Sequence, residues 1–293
     1  AIFFTAPSLF AQLDTKHYIP PMFGREDEGT HYIVLSTPST TPFNVTITDG
    51  SGTLITTQTI SNVSSSSYLL GSGTATQFLV QESELNTIMA NEGLILTGNS
   101  PFYVNIRVVA GAQAGSLTSK GEKASLGQDF RTGHLFNNDG DDYRKANVFG
   151  IMATEDNTTI NIDGISAGVI FKNTPQTGGT SDNITVVLDE GESYVVAAYL
   201  DEPGATNNTN GVNGTHITSD KDIVVNSGSW LGGNAIVGGS PAAGRDLGID
   251  QIVPIELVGD EYVVIKGEGV DNEKVIVIAT VNNTDIFLNE IGR

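Results

Sequence analysis

NVFGIMATEDNTTIN, residues 147–161, decides the fold, because the chain repeats it near its end as VIVIATVNNTDIFLN, residues 275–289. With Ala153 set against Ala279, both copies run an apolar strand into Ala-Thr, turn through a few polar residues, and resume a strand at Thr159 or Asp285. A looser third copy, YIVLSTPSTTPFNVTITDG at residues 32–50, has Ser36-Thr37 in the place of Ala-Thr. A second echo pairs LTGNSPFYVN (96–105) with ITSDKDIVVN (217–226). Both echoes give an offset of about 120 residues. Self-similarity on that scale fixes the architecture before any single motif is weighed, and here it predicts tandem β units.

Composition agrees. Only 16% of the 293 residues are charged, which suits strands with uncharged polar outer faces better than helices carrying ion pairs. Fourteen basic against thirty-four acidic residues leave a net charge of −20, so nucleic-acid phosphate and anionic lipid are repelled and neither is an expected partner. There are no cysteines, which excludes disulfides, thiol catalysis and Cys-ligated zinc. A disulfide-free exported chain points to a bacterial source. No apolar run reaches the ~18–20 residues of a membrane helix. AIFFTAPSLFAQ, residues 1–12, ends in a Leu9-Phe10-Ala11 step like a signal-peptidase site and is expected to be a signal-peptide remnant. The competing reading is a buried first strand.

Short strands separated by turn residues fill the rest. Asp49-Gly50-Ser51-Gly52 is a hairpin turn, Glu190-Gly191-Glu192 another, and residues 82–90 are the best helical candidate. The expected organisation is a first β repeat over 13–115, a connector over 116–145, a second repeat over 146–245 and an incomplete third over 246–293. The fold class is all-β, a series of β-sandwich-like repeats of about 120 residues. The alternative is a β-propeller-like arrangement of the same strands.

DLGIDQIVPIELVGDEYVVIKGEG (246–269), followed by VIVIAT, resembles the N-terminal domain of the IgGFc-binding protein family. The shared elements are Pro254, Gly259, Glu261-Tyr262, an apolar strand and an Ala-rich strand. SDKDIVVNSGSW (219–230) is similar to the family's closing strand, with Asp222 where that strand usually has proline, and LDEGESYVV (188–196) to its Gly-Glu hairpin. HYIPP (17–21) and ASLGQDFRTGH (124–134) are similar to a bacterial branch of exported surface proteins. The resemblance covers the chain beyond Gln12. It implies a secreted or cell-surface binding role with a protein or glycan ligand, and it identifies no Fc-contacting residue.

Catalytic constellations are missing from the sequence. Four histidines (His17, His31, His134, His216) fall at expected loops or strand ends without metal-ligand spacing. No Gly-x-Ser-x-Gly sits between a strand and a helix. Asn137, Asp139, Asp141 and Asp142, around Gly140, supply oxygen ligands of the kind calcium takes; the same residues also make ordinary turns. Trp230, the only tryptophan, lies among glycines and reads either as an exposed stacking platform for a ligand or as a core plug. Asn157 and Asn282, both in Asn-x-Ser/Thr sequons, occupy the same repeat turn. The expected function is a non-catalytic, secreted or bacterial cell-surface adhesion module forming the N-terminal part of a larger exported protein. No cofactor beyond calcium is expected. The rivals are a polysaccharide hydrolase with paired carboxylates and a structural stalk.

Overall fold

The computed structural model describes residues 12–24, 29–73, 76–110, 113–134, 145–172, 183–199, 208–232, 246–265 and 275–288. Among the described residues strands make up 54% and helix 6%, so the all-β expectation holds. In chain order the first strands are β1 (Asp14–Ile19), β2 (Met22–Phe23), β3 (Thr30–Ser36), β4 (Phe43–Asp49), β5 (Leu54–Ile60), β6 (Ser66–Ser72), β7 (Leu79–Val80), β8 (Leu94–Ala110) and β9 (Gln113–Thr118). A single helical turn, α1 (Glu122–Ser125), leads to β10 (Gly127–Arg131), β11 (Ala146–Ala153), β12 (Thr158–Asp163), β13 (Ile184–Leu188), β14 (Ser193–Tyr199), β15 (His216–Gly232) and β16 (Asp246–Gln251).

Two seven-stranded sheets result. The first runs β5-β4-β8-β3-β6 with β1 and β9 also on β8; the second runs β13-β12-β15-β11-β14 with β10 and β16 also on β15. Exchanging each strand for its repeat partner converts one order into the other. The hub of each is a 17-residue strand. Residues 94–98 of β8 pair with β4, and residues 103–109 pair with β3. In β15, residues 216–219 pair with β12 and 223–230 with β11. Each hub therefore passes from one layer to the other, and the two layers it joins make a sandwich-like unit.

The crossing explains the sequence echoes. Pro101 stands where β8 changes partners, a place where a missing ladder N–H costs least; Asp222 occupies the same step in β15. The Thr37 hydroxyl donates to the Pro101 carbonyl at 2.7 Å, and the Thr154 hydroxyl to the Asp222 carbonyl at 2.7 Å. The recurring Ser-Thr and Ala-Thr thus pin the hub strand at its bend.

Burial differs between equivalent layers. β3 alternates buried and half-buried residues, whereas every residue of β11 and β14 is buried. Ala146, Val148, Val195, Ala197 and Tyr199 join the core of the first unit. Their neighbours Phe149, Ile151, Tyr194, Val196 and Ala198 face the core of the second. A strand buried on both faces reads as a near-continuous apolar run, which is what NVFGIMA and YVVAAY are. The segment around β2 wedges between the units: Asn226 donates to the Pro20 carbonyl at 2.6 Å, Gln251 to the Tyr18 carbonyl at 2.7 Å, and a Cβ on Gly150 would lie 1.9 Å from the Pro21 carbonyl oxygen.

Four expectations are corrected. Residues 82–90 form only a 3-10 turn at Glu82–Glu84. The rest is a strap, because Asn86 and Met89 donate backbone hydrogen bonds to Val195 and Ser193 on the edge of β14, which outweighs helical propensity. Residues 116–145, expected to connect, contribute the end of β9, α1 and β10. β10 belongs to the second sheet because Phe130, fully buried opposite Ile217, anchors it. β16, expected to open the third repeat, is likewise hydrogen-bonded to β15. Residues 262–265, 275–279 and 284–288 belong to no strand, and 280–283 form a bend and a turn. Among the described residues no hub strand lies beside them, so their ladder groups have no partner. Ala153 is accordingly buried and Ala279 exposed. The turn after each is nonetheless the same, with Asn157 (φ 54°) and Asn283 (φ 60°) both left-handed; Asn283, and not Asn282, is the counterpart of Asn157.

Candidate functional site

Trp230 is wholly buried, in the core shared by the first unit and β11. A Cβ on Gly24 would stand 2.2 Å from its indole ring, so the bare glycine is what lets the ring seat there. The side chain plugs the seam between the units, and its faces are covered rather than presented for stacking. Asn137, Asp139, Asp141 and Asp142 lie outside the described residues. Among the described residues no group of three or more His, Asp or Glu side chains is gathered to hold a metal ion.

The histidines are not the surface residues that their sequence positions suggested. His17 and His31 are fully buried in β1 and β3. His17 Nδ1 lies 2.9 Å from Ser119 Oγ, and its Nε2 donates to the carbonyls of Phe102 (3.0 Å) and Asp14 (3.3 Å). Burial outweighs those carbonyls and lowers the His17 pKa to about 4. Although this is a Ser–His contact, both residues are sealed from solvent, and the Ser119 hydroxyl is also 3.1 Å from Gln251 Oε1. It is a brace between β1, the end of β9 and β16. His216 lies between Asp129 (2.7 Å) and Asp163 (3.4 Å) and clamps β10, β15 and β12 together.

One carboxyl is out of place. Glu92 is buried just before β8 with Oε2 unpartnered, and its pKa is pushed up to about 8 by burial, then by Glu84 and Asp49. It is not among the residues that line the concavity on the outer face of the first unit.

Among the described residues, a shallow, open concavity lies on the outer face of the first unit. It has a volume of about 590 Å³ and is lined by Pro42, Phe43, Asn44, Thr46, Thr59, Thr97, Gly98 and Asn99. Three strands build it by alternation: Asn44 and Thr46 point outward from β4 because Phe43, Val45 and Ile47 point inward. Registration places Thr97 beside Thr46, Thr59 beside Asn44, and Gly98 beside Val45. The Thr59 hydroxyl donates to Asn44 Oδ1 at 2.7 Å, which fixes that amide with its NH2 turned away. Thr46, Thr97 and Asn99 make no side-chain hydrogen bond among the described residues. No ionisable side chain lines the groove. Lys16 is in register with Thr97, but its ammonium lies over the Tyr18 ring at 4.5 Å. The outward Asn-x-Thr of NVTIT follows from strand alternation, while the groove depends on β5 and β8 arriving beside it.

A family model described as IgGFc binding protein matches residues 114–293, more than half of the chain. The chain belongs to the IgGFc-binding protein family. The matched region begins in β9 and takes in the whole second unit, so the resemblance read from residues 188–196, 219–230 and 246–269 falls inside it. No curated protein and no solved structure matches the chain. A binding role, rather than catalysis, is what membership indicates. No helix among the described residues is long and apolar enough to cross a membrane.

Proposed function

We propose that this member of the IgGFc-binding family is a secreted adhesion module of a bacterial cell surface, holding a protein or glycan ligand without turning it over. The observation that carries the reading is the pairing of family membership with an open groove lined by amides and hydroxyls and by no carboxylate. Such a surface offers directional hydrogen bonds and no acid, base or nucleophile aimed at a common point. Rigid two-layer units suit presentation of a ligand face, since the strands that carry it are anchored from behind by the core.

The test is an array of proteins, immunoglobulin Fc among them, and of glycans, probed with recombinant residues 13–293 with and without calcium. Saturable binding that leaves the ligand intact is expected. Turnover of a polysaccharide that disappears when one acidic residue is replaced would overturn the reading. A requirement for calcium would assign the cluster Asn137, Asp139, Asp141 and Asp142 to that ion.

A further inference from the structure

We infer that residues 275–288 are an acceptor for an extended apolar strand of another polypeptide, taken up in the place that a hub strand holds in each unit. The inference goes beyond the adhesion reading and does not depend on it. Its ground is that this third copy of the repeat already turns and docks like the second. With Ala153 set against Ala279, Thr158 and Thr284 are counterparts, and their hydroxyls donate to the carbonyls of Glu155 (2.6 Å) and Val281 (2.8 Å), also counterparts. The left-handed Asn157 and Asn283 complete the same turn. The junction behind it repeats too. A Cβ on Gly93, just before hub β8, would stand 2.1 Å from Met152 Cε, and one on Gly214, just before hub β15, 3.9 Å from Ile278 Cγ2. Both glycines are left-handed (φ 79° and 78°), and Ile278 is the counterpart of Met152. A Cβ on Gly133 would also meet Ile278, at 2.9 Å. Residues 275–279 therefore back onto the second unit as β11 backs onto the first.

The opposite face is open. Ile276 and Ile278, on the docked side, are half-buried, whereas Val275, Val277 and Ala279 are exposed, as are Ile286 and Leu288. Their counterparts Phe149, Ile151, Ala153, Ile160 and Ile162 all lie in the core of the second unit. The repeat also shows what covers such a face. Hub β15 is hydrogen-bonded to β11 along its whole length and to most of β12. It brings Ile217, Ile223 and Val225 to the core, as β8 brings Leu96, Phe102 and Val104, at the same spacing. Both hubs are engaged in their own sheets, so the strand that fits here is another polypeptide's, with three apolar residues at that spacing. Thr280 stands where Thr154 does, and its hydroxyl engages no described residue. It is placed to take the carbonyl at the incoming strand's bend, as Thr154 takes that of Asp222. Ladder hydrogen bonds then supply affinity and the alternate apolar side chains specificity, the mode of β-strand addition. An unpaired apolar edge of this kind is otherwise a liability for association.

The probe is a synthetic peptide copying residues 216–230, added to the full chain while backbone amide exchange is followed by mass spectrometry. Residues 275–280 should exchange fast in the chain alone. They should slow about tenfold at a peptide concentration about ten times its Kd, and a scrambled peptide of the same composition should leave them unchanged. Val277→Asp, at an exposed position, should abolish the protection while the circular dichroism spectrum and the exchange of β11 stay as they were. Slow exchange at residues 275–280 without peptide would overturn the inference, because the face would already be paired. So would the lack of saturable protection, equal protection by the scrambled peptide, or protection that survives Val277→Asp. Self-association that Val277→Asp abolishes, with no peptide bound, would give the face to a second copy of the chain and overturn it equally.

Discussion

β3 and β11 occupy the same position in the repeat, yet one alternates and the other is buried throughout. β6 and β14 differ in the same way. The template is shared, but the outer face of the β3 layer meets solvent while that of the β11 layer meets the first unit's core. What a strand's sequence records is therefore how many of its faces are covered, in addition to where it sits in the sheet. VIVIAT at residues 275–280 reads like β11 and not like β3, although the described structure leaves Val275 and Val277 exposed.

The largest effects should come from the two-sided layer. Trp230→Ala opens a cavity in the seam, and Gly150→Val drives a side chain onto the Pro21 carbonyl. Each should cost about 3–5 kcal/mol in urea unfolding followed by circular dichroism. Val34→Ala, half-buried in the one-sided layer, should cost below about 1 kcal/mol. Equal losses would erase the distinction between the layers.

A second contrast is in pH. The folded chain keeps Glu92 protonated up to about pH 8, while the unfolded carboxyl ionises at its ordinary 4.5. Stability therefore falls as pH rises from 4.5 to 8. His17 acts in the opposite direction. Held neutral down to about pH 4 against an ordinary 6.5, it contributes fully above pH 6.5 and progressively less as pH falls through 4. Glu92→Gln should flatten the alkaline limb and stabilise the protein at pH 8 by on the order of 2 kcal/mol. An alkaline limb that persists in the variant would show that the loss comes from another group.

Smaller effects belong to the crossing. Thr154→Val and Thr37→Val each remove one hydroxyl from an orphaned carbonyl and should cost about 1 kcal/mol, with serine at either position restoring most of it. If only one of the pair matters, the two hubs are not pinned alike.

The fold was legible where repetition spoke. The echoes aligned β3 with β11 and β8 with β15, and alternation set the faces of β4. The identity of Thr37 and Thr154 was visible, but their acceptors were not, since Pro101 and Asp222 lie some 65 residues away. β10 was hidden because one phenylalanine holds it among Gly, Gln, Asp and Arg. The strap at 82–90 was misread because its partner is an edge strand a hundred residues later. Trp230 was ambiguous because neither its glycine neighbours nor its chain position reveals Gly24. The groove could not be read at all, because it is a product of register among three strands.

Trp230, the only tryptophan, sits in the core that both units share, so its fluorescence tests directly whether the two sheets form one body. Urea unfolding followed by tryptophan emission and by far-ultraviolet circular dichroism should give a blue-shifted native spectrum and coincident transitions. Loss of the tryptophan signal at a urea concentration that leaves most of the β signal in place would show that the seam opens independently, and the shared two-sided layer would be contradicted.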